Sequence, residues 1–273
     1  MRAVTALPPL ARLGRPLLAA PCHRSQLVVI GRRDNMDFSP KSPEVNVESM
    51  RKPYRCRDDA FREEHLKSRE PIGQFRAWFE DATKTPGILE ANAMCLSTAT
   101  TDGRPSARFV LLKGFGRDGF RFFTNYDSRK AAELDSNPLA ALTFYWEPLN
   151  RSVRIEGKVR RLPADVSEQY FRSRPLASQI GALLGAQSSV VRNRSHLEGE
   201  EALIRMKHGT DKMPIPMPNW GGYIVEPMEV EFWQGQTTRI HDRIRFRRRT
   251  ADDLTKPFVR HGEDGWVYER LAP

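Results

Sequence analysis

The sequence predicts a mostly β fold with flanking helices, and three observations carry that prediction. Short alternating or apolar runs are separated by turn sequences such as Thr101-Asp102-Gly103 and Gly116-Arg117-Asp118-Gly119. Successive runs are close enough to pair as antiparallel neighbours, and the helical segments between them do not follow the β-α-β alternation of a parallel sheet. No G-x-x-x-x-G-K-[ST] motif is present. With 39% hydrophobic residues, 14 Phe, 6 Tyr and 5 Trp, the 273-residue chain has the material for a packed core.

The elements follow in order. Pro71 suits a first helical turn, and Phe75, Trp78 and Phe79 at i, i+3, i+4 give the helix behind it an apolar stripe. Strands are expected at Met94–Thr100, Ala107–Lys113 and Phe120–Asn125, forming a meander. A helix over Ser128–Asn137 has Ser128 as its cap, and strands at Ala140–Trp146 and Ser152–Leu162 come next. Helices are expected near Ala164–Arg172 and Ser178–Leu184. A polar stretch from Gln187 to Asn219 contains a helix over His196–Met206 and leaves through Pro214, Pro216 and Pro218. Strands return at Gly222–Trp233, Ile240–Arg247 and Trp266–Arg270.

The net charge of +10 is concentrated at one end: residues 1–57 hold 11 Lys/Arg against 4 acids, so the remainder carries only +3. With no helix-turn-helix, zinc-finger or RNA-recognition signature, this argues against nucleic acid as a partner. Met1 to Arg33 contain six Arg, no Lys and no acid, a composition that suits a mitochondrial transit segment or an untargeted extension broken by prolines. Residues 1–49 are therefore read as leader and linker, with Met36 and Met50 as alternative starts, and 50–273 as the folded domain. The expected compartment is the cytoplasm, or the mitochondrion if residues 1–33 are a transit segment. Apolar runs are too short for the roughly 20 residues of a membrane span. Cys22, Cys56 and Cys95 offer no C-x-x-C, and the six His form no H-x-H or H-E-x-x-H, so no metal is expected.

Several polar residues stand where a purely structural strand has no need of them. On the strand around residue 110, Arg108, Val110 and Leu112 share one face, and Phe109, Leu111 and Lys113 the other. A charged edge that resists aggregation is the plain alternative. Thr124 to Lys130 sets hydroxyls, Arg129 and Lys130 at a strand-to-helix junction, where exposed N–H groups and cations suit a phosphate. Tyr170, Arg174 and Ser178 follow at spacings of four and suit a second small anion, or simply a surface turn. Alternation in Arg239-Ile240-His241-Asp242-Arg243 places Arg239, His241 and Arg243 on one strand face, fit for an anion or a proton-transfer site, or for solvent.

These segments together resemble a known family. Arg108 to Gly114, Phe123-Thr124-Asn125 with Ser128-Arg129-Lys130, Tyr170-Phe171 with Ser173-Arg174-Pro175, Ser178 to Gly181, Gln187-Ser188-Ser189, Phe232 to Gly235, Arg239 to Arg243 and the terminal Arg270 to Pro273 stand in the order of the pyridoxine (pyridoxamine) 5′-phosphate oxidases. The resemblance runs from about Met50 to the last residue. It implies an FMN-binding split β-barrel, a homodimer with flavin at the subunit interface, and oxidation of pyridoxine 5′-phosphate or pyridoxamine 5′-phosphate to pyridoxal 5′-phosphate, with O2 reduced to H2O2.

It also implies roles. Arg108, Phe109, Val110, Leu111, Phe123, Thr124, Arg129, Lys130, Ser152, Gln187, Ser188, Trp233 and Arg243 correspond to FMN contacts. Lys113, Tyr170, Arg174 and Ser178 correspond to the substrate-phosphate site, Arg239, Ile240 and His241 to the substrate ring, with Arg239 and His241 catalytic, and Arg51, Lys52, Pro53 and Tyr54 to a lid. Two residues depart from the family pattern: Ser152 where it usually carries Gln, and Thr238 where Asn or Ser is expected; residues 192–217 match it poorly. The competing expectations are a non-catalytic carrier of flavin or pyridoxal phosphate on the same fold, and a split-barrel reductase using a nicotinamide donor.

Overall fold

The computed structural model describes residues 46–50, 52–54, 60–208 and 214–273. The leader up to residue 45, Met36 and lid residue Arg51 lie outside them. The chain divides into compact units at Met50/Arg51, and all regular elements among the described residues belong to the second, Arg51–Pro273.

Its described residues include ten strands and five α-helices: α1 Pro71–Lys84, β1 Ala93–Ala99, β2 Pro105–Leu111, β3 Gly114–Gly116, β4 Gly119–Asn125, α2 Arg129–Ser136, β5 Leu139–Trp146, β6 Arg151–Arg161, α3 Ala164–Ser173, α4 Leu176–Leu183, α5 Arg194–His208, β7 Trp220–Gln234, β8 Asp242–Arg248, β9 Arg260–His261 and β10 Trp266–Arg270. The strands form one antiparallel sheet in the order β2-β1-β5-β6-β7-β8-β10-β9. The long strand β7 is the branch point. One edge pairs with β6 from Tyr223 to Gln234, while its other edge takes β4 along Trp220–Val225 and β8 along Glu229–Gln234.

The branch through β4 curls the sheet into a barrel that does not close. β2 and β4 approach each other without a ladder between them. The gap is bridged only where the chain bends at Leu112-Lys113 into β3, which pairs with β4, and where Lys113 N–H donates to Arg121 O (2.8 Å). Two glycines permit the close approaches. Gly119 has φ +131°, and a Cβ there would lie 2.2 Å from Val225 O; at Gly157, where the β6–β7 register shifts, it would lie 2.1 Å from Glu226 O.

Alternation explains the filling. Met94, Leu96 and Thr98 of β1, Leu142, Phe144 and Trp146 of β5, and Val153 and Ile155 of β6 point inward and are buried, while their neighbours face out. α1 closes one mouth. Pro71 fills its first turn, and the Glu70 carboxylate accepts N–H bonds from Ile72 (2.7 Å) and Gly73 (2.5 Å). Its Phe75 is wholly buried, with Phe115, Phe120 and Phe144 rings 4.9, 5.0 and 5.1 Å away. A smaller apolar cluster of Phe171, Ile180, Ile215 and Trp220 seats α3 and α4 beside the barrel.

Three expectations need correction. Ile240–Arg247 does not begin as a strand: β8 starts at Asp242, and Arg239, with φ +66°, belongs to a turn closed by its N–H to Gln236 O. Arg239, His241 and Arg243 therefore do not line one strand face. Helix α4 begins at Leu176, ahead of Ser178, and the short strands β3 and β9 have too few residues to show a period. Among the described residues no helix is long and apolar enough to cross a membrane.

Phe75→Ala removes the ring on which the aromatic core converges. It is expected to cost about 3–5 kcal/mol of stability in urea unfolding; a loss below about 1 kcal/mol would contradict this assignment of the core.

Candidate functional site

The open seam of the barrel is a cleft of about 720 Å³. β2 supplies Arg108, Phe109, Val110 and Leu111, the bend supplies Lys113, and β4 supplies Phe123 and Thr124. α2 adds Lys130, the α3–α4 region adds Tyr170, Arg174 and Ser178, and the following loop adds Gln187. Twelve of the residues expected from the sequence thus meet in one place. Arg129 and Ser188 join at its edge, where Arg129 N–H faces Ser188 Oγ at 3.4 Å.

Cations dominate the lining. Lys130 is buried, and its Nζ donates to Thr124 Oγ1 (3.2 Å) and Gln187 Oε1 (2.6 Å). Burial first, and the neighbouring Arg108 second, push its pKa down to about 8. Arg174 lies over the Trp220 ring at 4.7 Å, within a stack in which Phe123 is 4.1 Å from Tyr170 and 5.3 Å from Trp220. Its Nη1 is buried with no hydrogen-bond partner among the described residues, and burial holds its pKa below the usual guanidinium value. An unpaired buried guanidinium nitrogen is costly unless an anion meets it, so these residues fit phosphorylated ligands.

The other expected residues lie on the outward face of the sheet. Tyr145, Ser152, Trp233 and Arg243 form one cross-strand row over β5, β6, β7 and β8. Ser152, Trp233 and Arg243 line a separate open cleft of about 380 Å³ that shares no lining residue with the seam. Buried Glu231 accepts from Arg243 Nε (2.6 Å) and Arg154 Nη2 (2.9 Å), and Arg243 Nη1 reaches Ala272 O (2.9 Å).

The 236–241 turn borders this face. His241 Nδ1 accepts the Gln236 N–H (3.0 Å), and its ring centre is 5.0 Å from Trp233 and 5.9 Å from Tyr54. Burial, then the Arg239 charge, lowers the His241 pKa, so the ring is neutral near pH 7. A backbone N–H can only donate, so the ring proton sits on Nε2. Arg239 and Ile240 are exposed beside it. Of the lid residues, Lys52 pairs with Glu147 (2.9 Å), Tyr54 O accepts from Thr237 Oγ1 (2.7 Å), and Pro53 lies between them.

The sequence reading missed Glu133, which lies 4% exposed behind Arg108 and Arg129. Its i, i+4 spacing from Arg129 was a local signal; its other partners, Thr98 and Ser106, come from β1 and β2. Among the described residues, no group of three or more His, Cys, Asp or Glu could hold a metal ion.

A split β-barrel with a cation-lined cleft across its seam defines a protein built to hold anionic, phosphate-bearing ligands. Comparison with known proteins gives that class its family. Residues 79–208 match the family model described as pyridoxamine 5′-phosphate oxidase, and residues 220–273 the pyridoxine 5′-phosphate oxidase C-terminal dimerisation region. A pyridoxine-5′-phosphate oxidase from Bos taurus is 52% identical over 92% of this chain and 98% of its own length. A pyridoxine/pyridoxamine 5′-phosphate oxidase from Bombyx mori is 50% identical over 84% of this chain and 90% of its own. Among solved structures, PhzG from Burkholderia lata, in complex with tetrahydrophenazine-1-carboxylic acid, superposes with a TM-score of 0.68 at 27% identity, covering 79% of this chain and 98% of PhzG. The chain belongs to the pyridoxine/pyridoxamine 5′-phosphate oxidase family.

The lowered pKa of Lys130 makes anion affinity depend on pH. Below about 8 the ammonium is charged; above it the charge is lost. Sulfate, whose own charge is constant there, is expected to bind the ligand-free protein more weakly as the pH rises from 7 to 9, read by calorimetry. Lys130→Met should flatten that dependence.

Proposed function

We propose that this chain is an FMN-dependent oxidase that converts pyridoxine 5′-phosphate and pyridoxamine 5′-phosphate to pyridoxal 5′-phosphate in vitamin B6 salvage, working as a homodimer. The observation that carries the reading is the seam: Arg108, Lys113, Lys130 and Arg174 line one cleft, and a buried guanidinium nitrogen there has no partner among the described residues. Cofactor and substrate each bring a phosphate, which matches two groups of cations in that cleft.

Arg108, Arg129 and Lys130, with Thr124, Gln187 and Ser188, would hold the FMN phosphate at the start of α2, where helix N–H groups add partial positive charge. Phe109, Val110, Leu111 and Phe123 would flank the flavin. Lys113, Tyr170, Arg174 and Ser178 would take the substrate phosphate. FMN held there would supply the two-electron redox chemistry that couples oxidation of the substrate at C4′ to reduction of O2 to H2O2.

The remaining groups, Ser152, Trp233 and Arg243 with the turn bearing Arg239, Ile240 and His241, face away from their own chain's seam. A second copy bringing this face to the seam would complete each site, in keeping with the match of residues 220–273 to a dimerisation region. Arg239 and His241 would then lie over the substrate ring. His241 carries its proton on Nε2, so towards substrate it donates a hydrogen bond and orients; its basic nitrogen is already taken by Gln236 N–H. Tyr54, resting on Trp233 and His241, covers this half of the site. The protein's contribution is to hold C4′ against the flavin, and such positioning supplies several kcal/mol of a barrier.

The test is an absorption spectrum of the purified protein followed by anaerobic addition of pyridoxine 5′-phosphate. Oxidised-flavin bands should bleach and return with oxygen, and a protein that binds no added FMN would sink the reading. Arg174→Ala is expected to raise KM for pyridoxine 5′-phosphate by about tenfold or more, with FMN affinity little changed. Arg239→Ala should depress turnover while flavin stays bound; loss of flavin with normal turnover once FMN is supplied would contradict the division of roles.

A further inference from the structure

Glu133, on the second turn of α2, is a buried carboxylate paired with both Arg108 and Arg129, and no ligand-facing role has been assigned to it above. Its Oε1 accepts from Arg129 Nε (2.8 Å), and its Oε2 accepts from Thr98 Oγ1 (2.5 Å), Ser106 Oγ (2.6 Å) and Arg108 Nη2 (3.3 Å). Both hydroxyls, having spent their single proton on the carboxylate, accept from Arg108: Thr98 Oγ1 from Nη1 (2.5 Å) and Ser106 Oγ from Nη2. Arg108 Nη1 also donates to Leu96 O (3.2 Å). The terminal nitrogens of Arg108 are thereby turned into the cluster, so it serves a phosphate by its charge, while Arg129, held among the described residues by Nε alone, keeps its terminal nitrogens for a ligand.

We propose that Glu133 is the positioning residue of the cofactor-phosphate site: it sets the hydrogen-bond polarity of Thr98 and Ser106 and fixes the two guanidiniums before a phosphate arrives. The proposal rests on the FMN reading given above. The acceptor-only character of the carboxylate is essential to it. A glutamine of the same shape would turn an NH2 group either towards Arg129 Nε–H or towards the three donors around Oε2, setting donor against donor in a buried place. Glu133 reaches no lining atom of the cleft except through these residues. Its burial opposes its charge, yet the bonds from Ser106, Thr98 and Arg129 outweigh that and hold its pKa at about 2, so it is ionised at any working pH.

The experiment measures dissociation constants of FMN and riboflavin by quenching of flavin fluorescence, in the full chain freed of cofactor. Riboflavin lacks the phosphate and reports the rest of the flavin site. Glu133→Gln is expected to weaken FMN by about tenfold to a hundredfold, with riboflavin affinity changed less than about threefold. Equal weakening of both flavins, or an unchanged FMN-to-riboflavin ratio in a folded variant, would overturn the proposal. Should Glu133→Gln fail to fold, Ser106→Ala keeps the carboxylate and removes one relay hydroxyl; it is expected to lower the ratio by several-fold, and an unchanged ratio would overturn the proposal equally. Failure of the underlying reading looks different: the unsubstituted protein would then bind FMN no more tightly than riboflavin.

Discussion

The failure of β2 and β4 to pair is the constraint on which the rest of this structure depends. A closed barrel would satisfy both edges and leave no opening; here the bend at Leu112-Lys113 swings the chain away, and the open seam receives Arg108, Lys113, Lys130 and Arg174. Burial first, and the like charge of Arg108 second, depress the pKa of Lys130 in this half-buried cleft. Among the described residues, buried Glu133 is the carboxylate that pairs with Arg108 and Arg129, so the cleft is electrostatically incomplete until anions enter.

The second consequence is a division of labour between two faces. Val153, Phe232 and Ile244 are buried inward, which forces Ser152, Trp233 and Arg243 outward by the alternation of their strands. The same geometry that fills the core therefore sets these three residues in a cleft apart from the seam. Phe109, 80% exposed on β2, and Tyr145, exposed on β5, lie on the same outward face, which suits contact with another protein surface better than water.

Much of the fold was legible because alternation is a local signal. β1, β4, β5, β6 and β7 appear near their expected places, as does the Phe75, Trp78, Phe79 stripe of α1. The strand expected from Ile240 failed for a reason alternation does not carry: the positive φ of Arg239 and the bond from Gln236 N–H to His241 Nδ1 make residues 236–241 a turn. In the site, the β2, β4, α2 and α3–α4 residues were readable as anion-binding candidates because cations and hydroxyls in clusters are conspicuous. Glu133 was not, since what gives it meaning is Thr98 and Ser106, which only the β1–β2 pairing brings to it.

The central claim is that each site is built from the seam of one copy and the outward face of another. Mixing two defective variants tests it most directly. Lys130→Ala damages the seam and Arg243→Ala the outward face, so each homodimer should be poorly active alone. Random subunit exchange then yields mixed dimers in which one of two sites carries both lesions and the other neither, and activity should recover to about a quarter of the unsubstituted level. No recovery despite demonstrated exchange would mean that seam and face serve the same chain, contrary to this account.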